Sequence, residues 1–386
     1  MFLHMALFLC IININMQIDK NKLDWIQIDL TARCQAMCLE CSRNINGKDV
    51  SPAIESADTW DMKMEIFQKA VTTDMLSDPE KLKRLTLNGN FGDPCIHPQF
   101  LEISKYVVDN AHKDFWYRIS TNGAMFDSKY WEKVAEVLKP LKYHQVIFAI
   151  DGLEDTHHIY RRNTTYQDVI NNATAFINAG GNAIWQFIVF NHNKHQVEEA
   201  KQRAKDLGFV KIEFKGGYGQ EGGARNYTKA VNNDIVDIGD KTKKNDAVKV
   251  SISDRESFKD AKDDIINSMK SKSKSLDELL DTEKISCQWY DTNGMYIEYD
   301  GTVWMCCWTG DMHRTLNKTQ SREWSHITKL FGKHFNNLKY HSFDDILNHE
   351  FFASYLDKTF NSTRNDPNTP RLYTCAKTCI WGKNFL

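Results

Sequence analysis

Net charge is nearly absent from this chain: 49 basic residues face 51 acidic ones over 386 positions, a formal charge of −2. Such a balance sets up no global field to draw the protein onto a polyanion, so composition gives no support to a non-specific DNA or RNA binder. A bilayer-spanning apolar run is also missing. The opening MFLHMALFLCIININM is apolar, but it is short, carries no positive charge at its start and offers no clear small-residue cleavage site. It is expected to be a tail within residues 1–22, with Met16 able to begin the same chain. Cysteines number ten, far too few for a disulfide scaffold of this length, and they are clustered. Short cysteine spacings without an export signal favour metal binding in a reducing cytoplasm.

What is present is a repeating pattern from about residue 24 to 215. Short β-rich runs are predicted at DWIQIDL (24–30), LKRLTLN (82–88), FWYRIS (115–120), HQVIFAI (144–150), IWQFIVF (184–190) and VKIEF (210–214). Helical runs are predicted between them near 61–77, 98–112, 127–138, 166–179 and 194–207. Strands alternating with helices of this length read as βα units on a parallel sheet, either an open partial barrel or a doubly wound sheet. Each strand is followed by small, polar or metal-binding residues: the cysteine loop, GNFGDP, TNG, DGLED, NHN and KGGYG. Ligands bind at the C-terminal ends of strands in such folds, so one rim is expected to hold one site. The expected organisation is a barrel over 23–219, a polar Lys/Asp/Ser-rich helical insertion or linker over 220–285, and a small C-terminal domain over 286–386.

The loop after the first strand holds Cys34, Cys38 and Cys41 in a C-x3-C-x2-C spacing. Thiolates select zinc, copper or iron–sulfur centres. A structural zinc site wants four closed ligands, and a [4Fe–4S] cluster has four irons to fill. Three cysteines leave one corner of such a cluster open to a substrate or cosubstrate. A zinc site completed from elsewhere is the plain alternative.

Placed after the first strand of a βα repeat, this triplet resembles the signature of the radical SAM superfamily. The resemblance implies a partial (β/α)6 barrel and a [4Fe–4S] cluster that binds S-adenosylmethionine (SAM) at its open iron. It implies an electron donor such as flavodoxin or ferredoxin, and a 5′-deoxyadenosyl radical that takes a hydrogen atom from substrate. GNFGDP resembles the second-strand segment that holds the methionine amino group, with Gly92 and Asp93 at those positions. STNG resembles the third-strand segment near the ribose and carboxylate, with Ser120, Thr121 and Asn122. AIDGLEDTHHIYRRN resembles the fourth-strand segment, with Asp151 and Arg161 or Arg162, of which Arg162 is taken as the contact. Three positions depart from the pattern: Glu40 stands where an aromatic residue usually precedes the last cysteine, Asp93 replaces a glutamate, and Ala149 sits where a polar residue often meets SAM. No side chain identifies itself as a catalytic acid or base, and Cys95 and His97 read as structural.

The second cysteine group is Cys287, Cys306, Cys307, Cys375 and Cys379. YIEYDGTVWM reads as a hairpin turning at Asp300–Gly301, which can bring Cys287 and Cys306 together while the tail returns the other pair. This resembles the auxiliary-cluster domain of radical SAM enzymes, called SPASM in its full form and twitch in its shorter one. Five cysteines imply one further [4Fe–4S] cluster on Cys287, Cys306, Cys375 and Cys379, with Cys307 left over or replacing Cys306. Four thiolates suit zinc equally well, which stays an alternative. The neighbouring Trp289, Trp304 and Trp308 read as core of the small domain. The implied substrate is a peptide or small molecule. Only 33 residues precede Cys34, too few for a leader-binding domain. Two rivals stand beside this reading: an iron–sulfur or zinc protein without SAM chemistry, and a radical enzyme acting on nucleic acid.

Overall fold

The computed structural model describes residues 22–39, 41, 43–45, 48–49, 60–216, 233–237, 250–253, 275–310, 312 and 318–380. Glu40, Cys10 and the N-terminal tail lie outside them, as do most of 217–274. Six strands come first: β1 (Leu23–Ile28), β2 (Leu82–Leu87), β3 (Trp116–Thr121), β4 (Tyr143–Ala149), β5 (Ala183–Val189) and β6 (Lys211–Gly216). Between them lie α1 (Met64–Ala70), α2 (Thr73–Ser77), α3 (Phe100–Asn110), α4 (Ser128–Leu138), α5 (His157–Tyr160), α6 (Tyr166–Asn178) and α7 (Val197–Leu207). All six predicted strands are present within a few residues.

Local chemistry explains the boundaries. Thr72, Asp127 and Thr165 each accept a backbone N–H from the first turn of α2, α4 and α6, satisfying donors that a helix start leaves unpaired. Gly208 ends α7 with φ +85°, a left-handed conformation that costs glycine little. Alternate strand residues such as Leu85, Tyr117, Val146, Trp185 and Ile212 are fully buried in the main apolar core, beside buried helix residues such as Phe100, Trp131 and Phe176. Their in-between neighbours point to the opposite face, as a strand's two-residue period requires.

Among the described residues, ten strands form one sheet, in the order β8-β7-β6-β5-β4-β3-β2-β1-β9-β10. Here β7 is Asn233–Asp237, β8 Val250–Ser253, β9 Gly294–Ile297 and β10 Val303–Trp304. Pairing is parallel from β9 through β1 to β6, and antiparallel where β7, β8 and β10 extend the edges. The β6 side chain Glu213 reaches Arg118 of β3 at 3.0 and 3.2 Å. Strands three apart would lie about 14 Å apart in a flat sheet, so this contact closes only because the sheet curls into a partial barrel.

Two features depart from the sequence expectation. Inside the segment read as helical, β7 and β8 are strands, taken up by the open hydrogen-bonding edge of β6. At the other edge the hairpin of β9 and β10 forms as expected, turning with Gly301 at φ +86°. However, β9 also lies parallel to β1, from Trp25 opposite Gly294 to Ile28 opposite Ile297. A Cβ on Gly294 would stand 2.5 Å from Trp25 Nε1. Glycine there lets the Trp25 ring lie 3.9 Å from Trp289 and donate to Thr292 at 2.9 Å.

Candidate active site at the cysteine loop

Beyond β1 the chain is pinned before it reaches the cysteines. Thr31 donates to Asp61 at 2.6 Å, Arg33 pairs with Asp61 at 2.8 Å, and Ala32 N–H donates to the Trp60 carbonyl at 2.8 Å. Arg43, buried, donates to the Cys34 carbonyl at 3.0 Å. Tyr160 and Phe190 are buried against Ala36 and Cys38, with Cys34 and Cys41 beside them. These aromatic faces come from the α5 and β5 ends, and sequence reasoning missed both.

Gly89 and Gly92 shape the loop after β2. A Cβ on Gly92 would stand 2.0 Å from the Thr31 carbonyl, and one on Gly89 2.0 Å from the Gly92 carbonyl. The close approach lets Asp93 N–H donate to the Arg33 carbonyl at 2.8 Å. The Asp93 carboxylate is buried and accepts from Cys95 N–H and Thr121 hydroxyl at 3.0 Å, and from Asn122 N–H and Nδ2 at 2.6 Å. Burial raises its pKa, while the Asn122 and Cys95 N–H groups pull it down. Asn122 in turn sets Nδ2 3.5 Å from Cys34 Sγ and exchanges amide hydrogen bonds with Gln35 at 2.7 and 3.2 Å. Asp93, Thr121 and Asn122 therefore form one cluster, with Gly92 beside Asp93, and Asn122 carries it to Cys34. Ser120, one residue short of the β3 end, is half-buried on the face opposite the helices.

The β4 end contributes an ion pair. Asp151, fully buried, accepts Arg161 Nε at 2.5 Å and Ile188 N–H at 2.5 Å. Arg161 then places Nη1 3.6 Å from Cys38 Sγ. Arg162 is exposed, so the arginine at the cysteines is Arg161 and not the Arg162 taken from the motif. Both arginines follow the end of α5, where the backbone leaves the helix with Arg161 turned inward and Arg162 out to solvent. Asn193, also unforeseen, clamps the β5 end by donating to the Asp151 and Ile188 carbonyls at 3.1 and 2.9 Å. His97 bonds the Met62 carbonyl at 2.9 Å and Gln99 N–H at 3.1 Å, and Cys95 is buried. Both hold the fold.

Burial pushes the Cys34 thiol up to about 12, with Asp93 adding to it, and burial raises Cys41 as well. Such thiols ionise when a cationic centre takes the place of the proton. Three shielded sulfurs on one loop, two of them touched by donors, fit a thiolate-bound iron–sulfur cluster.

The second group gathers under the hairpin. Cys287, Cys306, Cys375 and Cys379 line one pocket, together with apolar Ile285, Met305, Leu356 and Phe360. Cys375 and Cys379 lie on one helix, Tyr373–Cys379. Cys307 is not among the lining residues. A hydrogen bond between Cys287 and Cys379 lowers the first thiol and raises the second. Burial pushes Cys306 up to about 12. Trp289 and Trp304 are core residues, but Trp308 is 39% exposed and lines the pocket. Four converging thiols in an apolar shell fit a fully ligated cluster.

Residues 28–204 match the family model of the radical SAM superfamily, and residues 287–379 match the SPASM model, an iron–sulfur cluster-binding domain. Among solved structures, the chain is similar to histidine-tagged anSMEcpe with bound AdoMet, at 14% identity and a TM-score of 0.50, over 92% of this chain and 85% of that one. Streptococcus suis SuiB bound to precursor peptide SuiA is similar at 11% identity and a TM-score of 0.49, over 92% of this chain and 71% of that one. No curated protein matches the sequence.

Proposed function

The chain is a radical SAM enzyme with a C-terminal SPASM domain, using SAM and iron–sulfur clusters, and from this we propose that it abstracts a hydrogen atom from a peptide or small molecule at the rim built by Cys34, Cys38 and Cys41. In this reading the three thiolates hold a [4Fe–4S] cluster with one iron left to SAM. Once bound and reduced by a small electron carrier, the pair supplies a 5′-deoxyadenosyl radical.

The observation that carries the reading is that two of the three sulfurs meet donors from two other strand ends, Asn122 beyond β3 and Arg161 beyond β4. Hydrogen bonds and charge at thiolate sulfur tune the reduction potential of a cluster. Asp93 orients Asn122, and Asp151 orients Arg161, so each donor is itself fixed. Tyr160, Phe190 and Ala36 pack over Cys38 and keep water from it. Gly92, Asp93, Ser120, Thr121, Asn122 and Asp151 are proposed to frame SAM, with Arg161 in place of Arg162. Cys287, Cys306, Cys375 and Cys379 are proposed to hold a second cluster, which serves electron passage or domain integrity.

The test is anaerobic. Protein reconstituted with iron and sulfide is given SAM and a strong reductant, and 5′-deoxyadenosine is measured by mass spectrometry. Product is expected from the native chain and not from the Cys34/Cys38/Cys41 triple alanine variant. A full iron load without product would favour an electron carrier, and zinc in place of iron at the second site would reassign that site.

A further inference from the structure

The sheet face opposite the helices carries unusual chemistry for a barrel interior, which is normally packed with branched apolar side chains. Gln27 of β1, Thr86 of β2, Arg118 of β3 and Gln145 of β4 stand side by side in register across four strands. Arg84 shares this face, with its guanidinium 5.0 Å from the Trp25 ring. On β6, Lys211 and Glu213 share it too, 2.9 Å apart, and Lys215 follows two residues on. Among the described residues, four basic side chains share this face with three carboxylates, Glu213, Asp29 and, beside Asp29 on the β9 side, the buried Glu298. Asp29 is already taken by the Tyr296 hydroxyl at 2.8 Å. Glu213 is nearly buried and holds Arg118 across the curl of the sheet at 3.0 Å.

A second observation is independent of charge. Gln27 is only 6% exposed, and its Nε2 has no hydrogen-bond partner among the described residues. A buried amide donor without an acceptor costs about 1–3 kcal/mol. The missing partner is an acceptor, and it belongs two strands from the guanidinium of Arg118. An arginine fork and an amide donor on one face are the pair that a carboxylate oxygen satisfies.

We propose that this face is the substrate subsite of the enzyme and takes a carboxylate, with Arg118 as the anchoring residue, Gln27 as the second donor, and Glu213 as a resident carboxylate that the substrate displaces. The proposal rests on the radical SAM reading for calling the ligand a substrate. The carboxylate belongs either to an acidic peptide side chain or to a free small acid.

The experiment uses reconstituted full-length protein with SAM, titrated calorimetrically with glutarate, acetyl-Ala-Glu-Ala-amide and acetyl-Ala-Gln-Ala-amide. At least one carboxylate probe is expected to bind about tenfold or more tightly than the glutamine peptide. A tighter glutamate peptide identifies a peptide source, and a tighter glutarate identifies a small acid. Arg118→Gln is expected to erase the preference, whereas Glu213→Gln, which removes the resident competitor, is expected to widen it. An unfolded variant could not bind more tightly, so the second variant guards against loss of fold. Equal binding of the three probes, or no binding of any, overturns the proposal. So does a preference that survives Arg118→Gln, or loss of SAM binding in that variant, which would assign Arg118 to the cofactor. Formation of 5′-deoxyadenosine in the native chain is read separately, so failure of the enzyme assignment and failure of the subsite are told apart.

Discussion

Asp93 shows how one side chain can fix a site without reaching into it. Its carboxylate accepts from the N–H groups of Cys95 and Asn122 and from Thr121 and Asn122 side chains. Asp93→Asn keeps the shape but turns an NH2 group toward donors, leaving buried groups unpaired. A loss of about 2–4 kcal/mol in denaturant unfolding is expected, with 5′-deoxyadenosine yield falling at least about tenfold as Asn122 leaves Cys34. Unchanged product would remove Asp93 and Asn122 from the cofactor frame. The adjacent arginines give a sharper contrast. Arg161→Met strands the fully buried Asp151 without its partner, a change of about 3–5 kcal/mol. Arg162→Met alters an exposed residue and is expected to leave both stability and SAM cleavage as they were. Equal behaviour of the two variants in thermal unfolding and cleavage assays would refute the assignment of the contact to Arg161.

Among the elements, the helix Tyr373–Cys379 carries two of the four second-site thiols and is held at its start from outside. Glu323, on the helix Lys318–Phe331, accepts from Tyr373 N–H and from the Thr374 hydroxyl. Burial raises its pKa to about 7 from 4.5. The folded protein therefore holds a proton that the unfolded chain releases between these values. The stability Glu323 contributes is complete below pH 4.5 and is lost as pH rises through about 7, with up to about 3 kcal/mol at stake. Denaturant midpoints measured from pH 5 to 8 are expected to fall with pH, and Glu323→Gln to flatten the fall. The six strand–loop units of the barrel are legible in the sequence because each strand has β-branched and aromatic runs with a period of two and ends in a distinct polar motif. The cysteine spacing is legible for the same local reason. Arg161 over Arg162, the Tyr160 and Phe190 cover, and Glu323 at a distant helix start are not. They depend on side-chain direction or on tertiary contact between residues far apart in the chain.

Across the whole molecule, the C-terminal hairpin is part of the barrel's own sheet. Because β9 hydrogen-bonds along β1, the edge that would start the barrel is covered, and Trp25 is enclosed by Gly294, Trp289 and Thr292. An uncovered β1 would present unpaired backbone groups and an apolar ring, which is the usual route to edge-to-edge association. Removal of residues 286–386 is therefore expected to yield an aggregating barrel in size-exclusion chromatography, even though Cys34, Cys38 and Cys41 remain. Cys375→Ala leaves that sheet intact and removes one thiol of the second site. It should stay monodisperse, lose about half of roughly eight irons per chain, and still cleave SAM without substrate. The two variants separate the domain's contributions, since the first tests the sheet and the second tests the metal. Should the truncated chain stay soluble and reconstitute its cluster, β9 would be an ornament on the barrel rather than its closing strand. Should Cys375→Ala abolish SAM cleavage while keeping its fold, the second centre would lie on the electron path to the first.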